Sequence, residues 1–154
     1  MPLAVIAIEE PRAEDVRELL AAHLAYARAS TPPEAIHALE PEGLADQRVT
    51  FFTYRLEGEL LGIAALRELD PAHAEIKSMH TALAARRRGV GRAMLDRLVE
   101  EARSRGYRRL SLETGSQEAF AAARALYAAA GFEPCAAFGS YPPSGHSAFM
   151  TLPL

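Results

Sequence analysis

Alternating or continuous apolar positions mark seven short segments of this chain as β-strands. Turn residues separate several of them. Glu57-Gly58-Glu59 joins the second and third segments as a tight antiparallel hairpin, and Asp70-Pro71 begins the next turn. The predicted strands cover residues 3–8, 49–56, 60–69, 75–81, 109–113, 132–138 and 147–154.

Two helices are predicted between the first and second strands. Apolar residues recur at helical spacing after Pro11, and residues 34–44 form a second, shorter helical segment. Pro32 and Pro33 separate the two segments, because proline lacks the amide proton that a continuing helix needs. The pattern places four apolar residues on one face of the first helix: Val16, Leu19, Leu20 and Leu24.

Two further helices each follow a strand. Residues 88–105 form an amphipathic helix that ends at Gly106, and an alanine-rich helix ends at Gly131. The predicted cap of the alanine-rich helix is Thr114 with Gln117, or Ser116 alone. The predicted buried face of the longer helix is formed by Val90, Met94, Leu95, Leu98, Val99 and Ala102.

The order of these elements, β-α-α-β-β-β-α-β-α-β-β, predicts a mixed α/β fold in one domain spanning residues 1–154. The helix over residues 88–105 connects the fourth strand to the fifth. Because such crossovers are right-handed, we expect the fifth strand to lie parallel to the fourth, with this helix across one face of the sheet.

Composition narrows the function classes. The chain has 17 Lys and Arg against 20 Asp and Glu, a formal net charge of -3, which argues against a nucleic-acid binder. It carries no basic leader and no apolar run of the ~20 residues that a membrane span requires, so we expect a cytoplasmic protein without a membrane partner. The single Cys135 is interpreted as a small buried hydrophobe rather than a nucleophile, and no metal is expected.

One short basic, glycine-punctuated segment, residues 86–93, lies between the fourth strand and the following helix. Its two glycines allow backbone amides to approach a ligand at the start of a helix, where the first N–H groups have no internal partners. The helix dipole and the nearby guanidinium groups favour an anion such as a pyrophosphate. The spacing fits neither the P-loop nor the dinucleotide fingerprint. The alternative is a solvated basic turn without a ligand.

This segment resembles the Q/R-x-x-G-x-G/A signature of the GNAT (Gcn5-related N-acetyltransferase) superfamily, through Arg86, Gly89 and Gly91. The segment 126–132 resembles the L-Y-x-x-x-G-F pattern of the same superfamily, and the predicted element order matches its fold, the acyl-CoA N-acyltransferase fold. Residues 31–39, 75–79 and 112–115 look like a bacterial subgroup of small-molecule GNAT proteins.

The resemblance implies acetyl-CoA as cosubstrate and an amine as acceptor. In this family, the strand before the signature presents its backbone to the pantetheine arm, and the turn binds the pyrophosphate. The implied cofactor contacts are Met79, His80, Thr81, Arg86, Arg87, Arg88, Gly89, Val90, Gly91, Arg92, Ala93, Ala123 and Tyr127. The side chain of His80 is also a candidate base or substrate contact.

Two residues take the catalytic roles that the resemblance implies. An alkyl amine with a pKa of about 10.4 is mostly protonated at pH 7, so it needs a base, and Glu75, eleven residues before Arg86, is the candidate. The alternative for Glu75 is a structural carboxylate that pairs with Lys77 or an arginine. Tyr127 is the candidate acid for the leaving thiolate, and core packing is its alternative role.

The chain departs from the family pattern at two positions. Phe120 stands where many members have an asparagine seven residues before the tyrosine, so we expect it to pack rather than to bind the cofactor. Arg87 stands where many members have glycine, and it adds a positive charge to the turn.

The acceptor is expected to be a small-molecule amine or a peptide amine. In this fold it is bound by the first two helices and the last hairpin loop, which here present Glu34, His37, Tyr141 and His146. The alternative function is that of a non-catalytic acyl-CoA-binding or sensing domain. A third hypothesis is a protein that binds nucleic acid through a patch of arginines. A homodimer is expected by analogy alone.

Overall fold

The computed structural model describes residues 3–36, 43 and 46–154. Within them, the strands form one mixed sheet with the order β1-β2-β3-β4-β5-β7-β6. The strand bounds are β1 Ala4–Ile8, β2 Val49–Leu56, β3 Glu59–Asp70, β4 His73–Thr81, β5 Arg109–Gly115, β6 Glu133–Pro134 and β7 Ser147–Pro153.

Three α-helices lie in the described part of the chain: α1 Glu14–Ser30, α2 Val90–Ser104 and α3 Ala121–Ala129. Short 3-10 turns cover Pro33–Ala35, Leu83–Ala85 and Glu118–Phe120. Most of the predicted helix over residues 34–44 falls outside the described residues. None of the described helices combines the length and apolar character that a membrane crossing requires.

The sheet separates two apolar layers. On one face, α2 and α3 cover a core that contains Phe52, Ile76 and Leu112; on the other, α1 packs against a smaller cluster that contains Phe51 and Ile63. Neighbouring Phe51 and Phe52 enter opposite layers because successive strand side chains point to opposite faces. All six residues predicted for the buried face of α2 are buried, namely Val90, Met94, Leu95, Leu98, Val99 and Ala102.

The pairing of β4 with β5 is parallel, as predicted, but it is short. It runs from His73 opposite Arg109 to Ile76 opposite Leu112. Both strands continue beyond the last pair, β4 to Thr81 and β5 to Gly115. The two strands therefore part, and a gap opens in the middle of the sheet directly before the glycine turn.

Several predicted details differ from the structure. The strand predicted over residues 132–138 has only two residues in β6, and Pro134 is one of them, which limits pairing because proline has no N–H to donate. The predicted cap of α3 is wrong: Phe120 precedes the helix and makes no side-chain cap hydrogen bond. A 3-10 turn takes up the chain before α3 instead, so the helix begins later.

Candidate active site

A cavity of about 660 Å³ fills the gap between β4 and β5. Because the strands part, side chains from both layers reach it: His23 and Tyr26 come from α1, and Leu126 and Tyr127 come from α3. Of the predicted cofactor contacts, those that line the cavity are Met79, His80, Thr81, Arg86, Arg87, Gly89, Val90, Gly91, Arg92, Ala123 and Tyr127. Arg88 and Ala93 are not part of its wall.

The turn before α2 has the backbone of an anion site. Arg87 and Gly89 adopt positive φ values of 63° and 81°. Where residues of negative and positive φ alternate along a turn, their backbone N–H groups point into a concave nest that can bind an anion. A Cβ on Gly91 would lie 3.2 Å from Leu126 Cδ2. A side chain there would be tightly packed against Leu126, and glycine leaves the backbone accessible to the cavity. Shape and charge both fit a pyrophosphate.

A bulge in β4 lies beside the gap. The register with β3 shifts between Ile63 and Ala65, and Ser78 in this stretch has a φ of 54°, which is uncommon for a residue with a side chain. The Ser78 hydroxyl is buried, lines the cavity, and has no hydrogen-bond partner in the described structure. An unpaired buried hydroxyl of this kind is suited to a bound ligand.

Tyr127 lies in the cavity wall and is 7% exposed. Its ring packs against Phe132, with centroids 6.0 Å apart, so both of its predicted roles have support in its surroundings. Burial, and to a smaller extent the charge of Glu113, raise the pKa of Tyr127 to about 12. Its hydroxyl therefore stays protonated at neutral pH and can donate a hydrogen bond.

Glu75 does not line this cavity. It is 1% exposed and accepts a hydrogen bond from the Tyr141 hydroxyl at 2.9 Å, and Arg67 Nη1 lies 3.7 Å from it. Tyr141 in turn accepts a hydrogen bond from Lys77 Nζ at 2.5 Å. Burial raises the pKa of Glu75, and Lys77 opposes the rise. These surroundings correspond to the structural alternative for Glu75 rather than to the predicted base.

A second carboxyl group, Glu113, does line the cavity. It lies on β5 beyond the last residue that pairs with β4, so it borders the gap. Burial raises the pKa of Glu113 to about 7, while the Ser147 side chain and the charge of Lys77 oppose the rise and Glu75 adds to it. A carboxyl group that titrates near neutral pH in a cavity matches the requirement for a general base.

Two imidazoles form a pair in the wall on the α1 side. Nδ1 of His23 and Nδ1 of His80 are 3.2 Å apart, so one ring donates its proton to the other. Burial lowers the pKa of each to about 4, which keeps both neutral at pH 7. The neighbouring Tyr26 packs edge-on against Phe120, with ring centroids 5.6 Å apart, and Phe120 also lines the cavity.

The residues predicted to bind the acceptor do not converge. His146 is exposed and lines the large cavity, whereas Tyr141 lines a separate cavity of about 190 Å³. Glu34 is exposed in the 3-10 turn and lines neither cavity. His37 lies outside the described residues.

Comparisons with known proteins agree with this geometry. The sequence profile described as the acetyltransferase (GNAT) family matches residues 13–132. The chain belongs to this family. It is 44% identical over 146 residues to the uncharacterised N-acetyltransferase YsnE of Bacillus subtilis, covering 95% of this chain and 97% of YsnE.

Solved GNAT structures have the same fold. A protein from Klebsiella pneumoniae, assigned as an acyl-CoA N-acyltransferase, has a TM-score of 0.81 at 29% identity and covers 99% of this chain and 98% of its own. A Bacillus subtilis acetyltransferase in complex with CoA has a TM-score of 0.74 at 18% identity, with 99% of each chain covered. GNAT enzymes use acetyl-CoA, and the resemblance inferred from the two motifs is confirmed.

Sequence reasoning missed Glu113, His23 and Ser78 as residues of the site. Only Glu113 gave a local signal, because it is the carboxylate inside the 112–115 stretch that resembles a GNAT subgroup. Its neighbourhood depends on where β4 and β5 stop pairing, which the hydrophobic pattern does not encode. His23 carries no signal beyond its place on a helix that also holds Leu20 and Leu24.

Proposed function

We propose that this protein transfers the acetyl group of acetyl-CoA to a primary amine of a small molecule or peptide, by direct attack in a ternary complex. The observation that carries the proposal is the early parting of β4 and β5. It opens one cavity that is bordered by the anion-binding turn, by Glu113 and by Tyr127. When bound, acetyl-CoA supplies the activated acyl carbon.

Glu113 is the proposed base. An amine acceptor arrives mostly as an ammonium ion at pH 7. A carboxylate with a pKa of about 7 can accept its proton, whereas an ordinary glutamate is a much weaker base. Glu113 takes one proton from the ammonium group, and the freed amine nitrogen bonds to the acyl carbon. As the carbon–sulfur bond breaks, the nitrogen gives up its second proton, which passes through solvent to the departing thiolate, and the first proton stays on Glu113.

Tyr127 is the proposed hydrogen-bond donor to the leaving sulfur. With a pKa of about 12, full proton transfer to a thiolate whose ordinary pKa is about 8.5 is uphill. A hydrogen bond that strengthens as the sulfur gains charge lowers the barrier without that transfer. Tyr127 thus assists as a donor that keeps its proton.

Direct attack is favoured over an acyl-enzyme. Cys135 follows β6 and lies outside the cavity wall, and burial raises the pKa of its thiol, which lowers the thiolate fraction. The buried Ser78 hydroxyl lines the cavity, but no histidine or carboxylate hydrogen bonds to it. A serine without such a base is a poor nucleophile.

The first test is calorimetric titration of the protein with acetyl-CoA. Saturable one-site binding is expected. Arg86→Met should weaken it several-fold, because Arg86 lines the cavity and a partly exposed ion pair contributes about 1 kcal/mol or less. Arg88→Met is the matched control: Arg88 is exposed two residues away but lies outside the wall, so its loss should change little.

Thiol release in the presence of amines then separates an enzyme from a sensing domain. Saturable binding without release for any amine would support the rival acyl-CoA-binding function. Failure of the folded protein to bind acetyl-CoA would remove both functions.

A further inference from the structure

Two cavities meet at Lys77, which contributes to the walls of both. The large cavity presents Glu113 beside it. The smaller cavity, of about 190 Å³, presents Arg67 and Glu75 together with the Tyr141 hydroxyl. An acceptor that reaches Glu113 from the α1 face of the sheet therefore has a second, charged recess within reach.

The smaller cavity has an excess of positive charge. Two cations, Arg67 and Lys77, face one carboxylate, Glu75. Arg67 and Glu75 are cross-strand neighbours, but Arg67 Nη1 stays 3.7 Å from the carboxylate, which is longer than a hydrogen bond. The guanidinium therefore does not use its N–H donors on Glu75, and its planar fork suits a second carboxylate.

We propose that the acceptor is a zwitterionic amine of the amino-acid type, whose ammonium group lies at Glu113 and whose carboxylate is bound by Arg67 and Lys77. This inference rests on the proposed function and names the acceptor's class. The positively charged ammonium group of such an acceptor lies next to Glu113. Its negatively charged carboxylate lies in the smaller cavity, whose wall contains two cations and one carboxylate.

The size of the recess agrees with this division. A cavity of about 190 Å³ is smaller than the roughly 300 Å³ from which sites for whole ligands begin. It can hold a carboxylate and the carbon atoms next to it, while the rest of the acceptor stays in the larger cavity. Tyr141, held between Lys77 and Glu75, closes the recess on the loop side.

The test compares matched acceptor pairs by thiol release at saturating acetyl-CoA. Each proteinogenic amino acid is paired with its primary amide, which keeps the amine and the side chain but lacks the negative charge. Amidation leaves a less basic amine, which favours the amide chemically, so a preference for the acid reports binding. We expect at least one acid to exceed its amide about tenfold or more in kcat/KM, as loss of a charged hydrogen bond implies.

Arg67→Met should remove most of that preference by raising KM for the acid, while the amide keeps its kcat/KM within about twofold. Turnover of the amide by the same variant shows that the protein is folded. Arg67→Lys keeps the charge but not the fork, and should retain part of the preference. Arg12→Met is the control, because Arg12 is 78% exposed and lies in neither cavity wall.

Equal kcat/KM for acids and amides in the unmodified protein would overturn the zwitterion inference and leave the transferase function standing. So would an equal loss for both members of a pair in Arg67→Met. Absence of thiol release with every member of the panel would overturn this inference, while release with a different primary amine would leave the proposed function standing.

Discussion

The turn over residues 86–92 and the strand residues Lys77 and Glu113 line one cavity, but their charged groups differ in exposure to solvent. The arginines of the turn, Arg86 and Arg87, are exposed. At the strands, in contrast, Lys77 is only 7% exposed and Glu113 is partly buried. One end of the cavity thus keeps its charges in water, and the other end keeps them inside the protein.

This difference separates binding from chemistry. Exposed cations attract an anion but are screened by solvent and salt, so the turn gains its specificity from backbone shape at Arg87 and Gly89. Buried charges interact strongly with one another, and their pKa values move: the pKa of Glu113 rises and that of Lys77 falls. Substitutions at the buried end should therefore change turnover more than those at the turn.

The largest effect is expected for Glu113→Gln. Loss of the base should lower kcat/KM by about 10² to 10⁴. In the unmodified protein, kcat/KM should rise with pH through about 7, because the deprotonated form of Glu113 is the active one. This limb should be absent from the pH profile of the variant.

Glu75→Gln is the matched comparison. The amide oxygen can still accept the hydrogen bond of Tyr141, so turnover should stay within about tenfold of the unmodified protein. If Glu75→Gln lost as much activity and the same pH dependence, Glu75 would be the base.

The free energy of unfolding, measured against pH, provides a folding control for Glu113→Gln. The unfolded state releases this proton near pH 4.5 and the folded state only near 7, so ionisation destabilises the fold as pH rises between these values.

A smaller effect is expected for Tyr127→Phe. Loss of one hydrogen bond to a developing charge should lower kcat about 10- to 100-fold, with the Kd for acetyl-CoA nearly unchanged because the ring remains in the wall. Single-turnover kinetics and calorimetry measure the two quantities separately. Tyr107→Phe is the control, since its hydroxyl donates to Glu68 at 2.8 Å away from the cavity and should affect stability alone. Equal turnover in the two variants would mean that Tyr127 contributes only to core packing.

The same contrast explains how much could be predicted from the sequence. The turn was predictable because its glycines act locally: Gly89 has the positive φ that its position requires. The sheet, the crossover and the buried face of α2 followed from periodicity. Glu113 was not predicted as a cavity residue, because its surroundings depend on where two distant strands stop pairing. Glu75 has the spacing expected of the family's base, but in this fold its side chain lies against Arg67 and Tyr141.

The smallest effect should come from Arg87, and it tests whether the turn is governed by shape or by charge. Its φ of 63° costs a residue with a side chain about 1 kcal/mol or more, whereas glycine adopts it freely. Arg87→Gly and Arg87→Ala remove the same charge from the cavity wall, so both should weaken acetyl-CoA binding equally. The glycine variant should be more stable than the alanine variant by about 1 kcal/mol in urea unfolding. Equal stability of the two variants would mean that the turn relaxes without the arginine, and that Arg87 supplies charge rather than holding a strained shape.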